Sequence, residues 1–292
     1  MIVNFERFQK TTYDDPIGKF ANDENHYTGL IFGMSHSQCA IDEAALSDER
    51  YCSLAAPSLD IFLHLNFMKV LADRHPEELR AVKRVIIEVP YYIFNYDLSR
   101  FGSFVYTKLK YFEIVGDYHN FGKTPEQKSR IDEFRRFMML FDKENDDIIS
   151  DVQHSRLKRV AKKWYNKYRV ATNKDKVWRV IYEETVQQNV QYWNEFLDLL
   201  KSSCPHAKIS VLIMPFNPIF RFFHFRQIKA MKHIFLDALG KGDYQVVDHF
   251  SSISRDCYFD DHCHLSTNGA AKYMGILKKS EVLFRNENDV CH

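Results

Sequence analysis

The chain lacks a long hydrophobic run. No stretch approaches the roughly 18 apolar residues of a membrane-spanning helix, and the opening MIVNFERFQKTTYDD has no extended apolar core of the kind a secretory leader carries. It lacks charge of one sign: 40 Lys and Arg stand against 39 Asp and Glu, a formal net charge of +1, so no overall field favours nucleic acid. It also lacks closely paired cysteines. The six, at 39, 52, 204, 257, 263 and 291, are scattered, and in a chain this long they read as reduced thiols rather than a disulfide framework. Internal repeats, low-complexity tracts and interdomain linkers are missing too. Together these absences predict a single cytoplasmic domain over 1–292. What is present suits a well-packed core: 292 residues, 45% hydrophobic and 15% aromatic.

Two short stretches carry chemistry. Tyr27 to Asp42 reads YTGLIFGMSHSQCAID. Leu30, Ile31 and Phe32 form an apolar run that stops at Gly33, as a buried strand ending in a tight turn would. Such a turn exposes the next small hydroxyl, Ser35, at the carboxyl edge of a sheet, where open α/β sheets bind their ligands. Cys257 to Ala270 reads CYFDDHCHLSTNGA. Here Asp261 stands three residues before His264, so one carboxylate can hold an imidazole whose other nitrogen faces a nucleophile. Asn268 and Gly269 read as a turn, with a closing helix from Ala270 to Leu277.

A Gly-X-Ser turn near the start, with Asp-X-X-His-Leu and a following Gly-Ala near the end, resembles the SGNH (GDSL-like) hydrolase superfamily. The match is closer to its diverged branches that handle surface glycans, where Gly-Ser-Ser-His replaces Gly-Asp-Ser; this chain has Gly33-Met34-Ser35-His36. The resemblance implies a three-layer α/β/α sandwich with a mostly parallel, flavodoxin-like sheet. It also implies a Ser35–His264–Asp261 triad and no cofactor. An oxyanion donor follows the second strand in that family, and here the backbone N–H of Ser58 falls at that place. A plain reading of Pro57-Ser58 instead makes Ser58 the N-cap of the next helix, and both can hold together. The family's asparagine after the third strand is replaced here by Pro-Tyr-Tyr. Asn95 is the nearest asparagine, and a Tyr91 or Tyr92 hydroxyl could substitute. The alternative for the tyrosines is packing on the sheet edge. His36 reads as structural or substrate-facing.

The remaining elements follow from periodicity. Tyr51 to Leu54, Val82 to Val89, Lys208 to Pro215 and Tyr244 to Val247 read as strands, and Leu59 to Asp73 and Arg226 to Leu239 as helices. Residues 100 to 200 break the strand–helix rhythm, with helical patterns at Ile131 to Asp142 and Val180 to Leu200, and predict a helical insertion or lid. Within it, Arg156 to Arg179 carries ten Lys or Arg interleaved with Trp164, Tyr165, Tyr168 and Trp178. Such a segment can lie on an anionic membrane surface or grip a phosphorylated substrate, or can simply be a solvated helix face.

Serine is a poor nucleophile unless a base takes its proton during attack, and His264, oriented by Asp261, supplies that base. Residue 37 is serine, not the glycine of the Gly-X-Ser-X-Gly elbow, which argues against an α/β-hydrolase. The expected activity is acyl-ester chemistry on a carbohydrate, as esterase or O-acyltransferase, with a glycan substrate and an acyl donor as partners. Two alternatives stand beside it. One is a metal-dependent hydrolase using the Asp/His/Cys cluster at 260–264, in which His262 and His264 with Asp248 or Asp260, and Cys263 beside them, could bind zinc. The other is a non-catalytic scaffold that binds glycan or a membrane surface.

Overall fold

The computed structural model describes residues 16–20, 26–46, 50–100, 109–141, 167–168, 170–172, 175–240 and 242–280. In chain order, the short helix α1 (Pro16–Phe20) precedes strand β1 (Gly29–Phe32), which turns into α2 (Ser35–Ala40). Strand β2 (Tyr51–Ser53) is followed by α3 (Ile61–Arg74), α4 (Pro76–Arg80) and β3 (Arg84–Glu88). Helices α5 (Leu109–Val115), α6 (Pro125–Phe141) and α7 (Glu183–Ser203) lead to β4 (Lys208–Ile213). Then come α8 (Pro218–Phe223), α9 (Phe225–Leu239), β5 (Gln245–Asp248) and the closing α10 (Thr267–Leu277).

The five strands form one parallel sheet in the order β2-β1-β3-β4-β5. Both faces are covered, so the inner strands are apolar without alternation. Leu30, Phe32, Val85, Ile87, Val211 and Ile213 point into one hydrophobic layer with α3, α7 and α9. Ile31, Ile86 and Leu212 point into the other, against Tyr273, Met274 and Leu277 of α10. This is the α/β/α sandwich that the resemblance implied. The strand order reverses direction between β1 and β3, and a sheet of this order leaves its ligand crevice at the carboxyl ends of those two strands.

Three expectations change. Asp60, not Ser58, caps α3: its Oδ1 accepts the Leu63 N–H at 2.9 Å, while Ser58 sits in a left-handed conformation at φ +66°. Asn268 and Gly269 belong to the first turn of α10 rather than to a turn before it. Ser266 Oγ caps that helix from the Gly269 N–H at 3.3 Å, and a Cβ at Gly269 would collide with the Tyr258 carbonyl. The helical pattern between 100 and 200 also divides. Helix α7 is the crossover from β3 to β4, with Trp193, Phe196 and Leu200 buried and the Phe196 ring edge-on to Phe32 of β1 at 5.0 Å. Helix α5 packs on α3 through Tyr111 and Phe67, at 6.1 Å.

Most of residues 1–26 and most of the basic Arg156–Arg179 stretch lie outside the described residues. Of the described part, Lys167 pairs with Asp256 at 2.8 Å. Trp178 is core rather than surface, edge-on to Tyr92, Phe216 and Phe220 at 4.9, 5.6 and 5.2 Å.

Candidate active site

The turn after β1 is shaped by space rather than by unusual backbone angles. A Cβ on Gly33 would overlap Ser37 Oγ and sit 3.0 Å from Glu88 Oε2, so only glycine lets the end of β3 approach this closely. Glu88, the last residue of β3, is completely buried. Its carboxylate accepts the Met34 N–H at 2.8 Å, the Ser37 hydroxyl at 3.3 Å and His36 Nδ1 at 3.1 Å. Burial opposes its charge, but these donors, His36 first among them, outweigh burial and hold the carboxyl below its ordinary range. The clamp fixes the start of α2 and presents Ser35 half-exposed at the crevice.

From the other end of the chain, residues 259–265 form a small closed loop. Phe259 and Leu265 bridge antiparallel, and the Asp260 N–H donates to the His264 carbonyl at 2.9 Å. Inside it, Asp261 Oδ1 accepts the N–H groups of Cys263 and His264 at 2.8 and 2.7 Å. This is the local turn that an aspartate favours. Its Oδ2 is left for His264 Nδ1, at 2.7 Å. The other ring nitrogen, Nε2, meets Ser35 Oγ at 2.7 Å. Residues 229 positions apart therefore form one continuous hydrogen-bond relay.

The electrostatics follow the geometry. Burial works against charge on His264, but the hydrogen bond and charge of Asp261 outweigh it, so the imidazole's pKa is raised. Burial likewise opposes the Asp261 carboxylate, and His264 with two backbone amides more than compensates, holding it well below the usual range. His262 behaves oppositely: burial dominates over Asp261 and Asp175 and pushes it down to about 4. One histidine of this loop is shifted towards holding a proton and its neighbour away from it.

The expected oxyanion residues separate into those near the crevice and those held elsewhere. The Ser58 segment runs beside the nucleophile turn, because the Ala56 N–H donates to the Gly33 carbonyl at 3.2 Å, and the Tyr96 hydroxyl holds the Ser58 carbonyl at 3.3 Å. Tyr91 does not serve the crevice. Its hydroxyl donates to Asp248 Oδ2 at 2.6 Å, and its ring packs on Phe235 and Phe250. Asn95 is also engaged: Nδ2 donates to the carbonyls of Val177 and Val180 at 2.9 and 2.7 Å, and Oδ1 accepts the Tyr182 N–H at 2.7 Å. Tyr92 is buried, with its ring edge-on to those of Tyr96 and Trp178 at 6.0 and 4.9 Å. His36 is buried, bound to Glu88, with its ring 5.4 Å from that of His264.

Sequence reasoning missed two residues that hold this site. Glu88 was visible as a lone acid in the apolar run VIIEV, and a buried charge demands partners. Asn217 caps α8 through the Ile219 N–H at 2.8 Å, and donates from its backbone N–H to the His262 carbonyl (3.0 Å) and from Nδ2 to the Asp261 carbonyl (3.1 Å).

Among the described residues, two groups bring possible metal ligands within 4.8 Å of one another: His36, Cys263 and His264, and Asp261, His262 and Cys263. The second lies wholly within the 260–264 cluster of the metal alternative, and neither contains Asp248 or Asp260. Asp248 instead holds Tyr91 and Lys232, at 2.6 and 2.8 Å. Both nitrogens of His264 are already engaged, so a metal there would displace Ser35 or Asp261. Burial also pushes the Cys263 thiol up.

No family model and no curated protein matches the chain. Among solved structures it is similar to a Streptococcus pneumonia protein described as a platelet activating factor, with 10% identity, 94% of this chain and 90% of that chain covered, and a TM-score of 0.46. It is also similar to phospholipase A1 from Streptomyces albidoflavus, with 11% identity, 86% and 98% coverage and a TM-score of 0.37. A third is an extracellular lipase from Streptomyces rimosus, with 12% identity, 86% and 98% coverage and a TM-score of 0.36.

Proposed function

We propose that the protein carries out serine-dependent acyl-ester chemistry at the carboxyl edge of β1. The observation that carries this reading is the unbroken chain from Asp261 through His264 to the Ser35 hydroxyl, with both links at 2.7 Å. As Ser35 Oγ attacks the ester carbonyl, its proton passes to His264 Nε2, and the resulting imidazolium is stabilised by Asp261. The tetrahedral intermediate collapses, the ester C–O bond breaks, and the same proton leaves with the alcohol. An acyl-serine remains. Water, or a sugar hydroxyl, then attacks it with His264 again as base.

The developing oxyanion needs donors that do not reorganise. The backbone N–H groups of Ser35 and Ser58 are assigned that role, and Tyr92 is the side-chain candidate, since Tyr91 and Asn95 hold other partners. For the substrate, the Gly33-Met34-Ser35-His36 element resembles the branch that modifies surface glycans, which favours an acylated carbohydrate. A fluorophosphonate probe tests the chemistry: it should label Ser35 and leave Ser35→Ala unmodified. Acetylated sugars test the substrate by mass change. Labelling at another residue, or turnover undiminished in Ser35→Ala, rejects the proposal.

A further inference from the structure

The proposed chemistry leaves unused the corner where α8 meets α9. Residues 216–235 read FNPIFRFFHFRQIKAMKHIF, with four Lys or Arg and no acid. The corner is built with one face in and one face out. Phe220, His224, Ile228, Met231 and Phe235 are buried, and the Phe220 and His224 rings lie 4.6 Å apart at the junction. Phe222, Phe223 and Phe225 point the other way and are 74, 58 and 59% exposed. On α9 the exposed line continues through Lys229 to Leu236, steps of four and seven that share one helix side.

Three exposed phenylalanines within four residues are costly to leave in water and mark a contact surface. The charges beside them indicate what kind. Arg226 lies over the Phe225 ring at 5.6 Å, and neither Arg226 nor Lys229 has a carboxylate partner among the described residues. A second copy docking through this face about a two-fold axis would bring these cations onto one another. An anionic bilayer accepts both features, with aromatic rings in the interfacial layer and cations among the head groups. No described helix is long and apolar enough to cross a membrane. The corner is also fastened to the proposed site. Asn217 bonds the carbonyls of Asp261 and His262 at 3.1 and 3.0 Å, and the Phe220 ring lies 5.2 Å from that of His262.

We propose that the α8–α9 corner docks the protein on an anionic phospholipid surface through Phe222, Phe223, Phe225, Arg226 and Lys229. The inference does not depend on the acyl chemistry, and Ser35→Ala should bind vesicles as the unmodified protein does. The test is co-sedimentation with vesicles of phosphatidylcholine alone and of phosphatidylcholine with phosphatidylglycerol. Partitioning should be at least about tenfold stronger on the anionic vesicles and should weaken as salt rises. The triple variant Phe222→Ser/Phe223→Ser/Phe225→Ser should lose it, and Arg226→Glu/Lys229→Glu should reduce it about tenfold or more, with Ser35 labelling by the soluble probe retained in both. Equal binding to both vesicle types, or a triple variant that binds unchanged, overturns the proposal. So does a protein that ignores vesicles but sediments as a dimer that the triple variant converts to monomer.

Discussion

Two histidine–carboxylate pairs flank one turn. In His264–Asp261 and His36–Glu88 the imidazole centroids stand 5.4 Å apart, and the same two functional groups are put to different uses. The carboxylate of Asp261 is part-exposed, and the nitrogen of His264 that it leaves free reaches Ser35 Oγ. Glu88 is fully buried, and besides His36 it grips the Met34 N–H and the Ser37 hydroxyl. The ring of His36 is packed edge-on against Phe216 at 5.6 Å. The first pair ends on a nucleophile at the crevice. The second ends on backbone and core, and holds that nucleophile's turn in place. What separates a relay from a clamp here is the group facing the second nitrogen and the access of water, not the identity of the pair.

That contrast can be broken at several points. The largest effect belongs to Ser35→Ala, which should lower kcat on an aryl ester by roughly 10⁶-fold, as loss of the nucleophile does in other serine hydrolases. Asp261→Asn should cost about 10⁴-fold in kcat, because the imidazole loses its orienting anion. The neutral form of His264 is the base, so activity falls as pH drops through its raised pKa, and removing Asp261 should move this acid limb to lower pH. Tyr92→Phe should lower kcat by about 10²-fold if its hydroxyl meets the oxyanion, whereas Tyr91→Phe, whose hydroxyl serves Asp248, should leave kcat near its original value.

Glu88→Gln has a modest effect on rate and the largest on the fold. Weakening the buried hydrogen bonds that this carboxylate accepts costs about 2 kcal/mol, which should appear as a lower midpoint in urea unfolding. The amide can still accept the Met34 N–H, so labelling of Ser35 should slow without disappearing. Equal stability of Glu88→Gln and the unmodified protein would sink the clamp assignment.

The relay could be read in the sequence because each half is local. A glycine ends an apolar run two residues before Ser35, and Asp261 reaches His264 within a single turn. The sheet was legible for a related reason, since strands buried on both faces are unbroken apolar runs such as KISVLI. The clamp was not legible, because Glu88 meets Met34 across 54 positions and nothing local names its partner. Asn95 shows the same limit: its position after β3 suggested the crevice, but its amide is drawn to carbonyls 82 and 85 positions away. Periodicity marked α7 as a helix without revealing that its Phe196 packs on Phe32 of β1. The Asn268-Gly269 pair looked like a turn because the Ser266 cap and the contact with the Tyr258 carbonyl, which place it inside α10, depend on tertiary structure.

The most direct test is the pH dependence of Ser35 labelling by a fluorophosphonate, compared between the unmodified protein, Asp261→Asn and Glu88→Gln. Asp261 acts on His264 by hydrogen bond and charge, Glu88 by charge alone and more weakly. The acid limb should therefore shift far to lower pH in Asp261→Asn and only slightly in Glu88→Gln. A limb unmoved by Asp261→Asn, or moved further by Glu88→Gln, would contradict the assignment of His264 and Asp261 as the working pair.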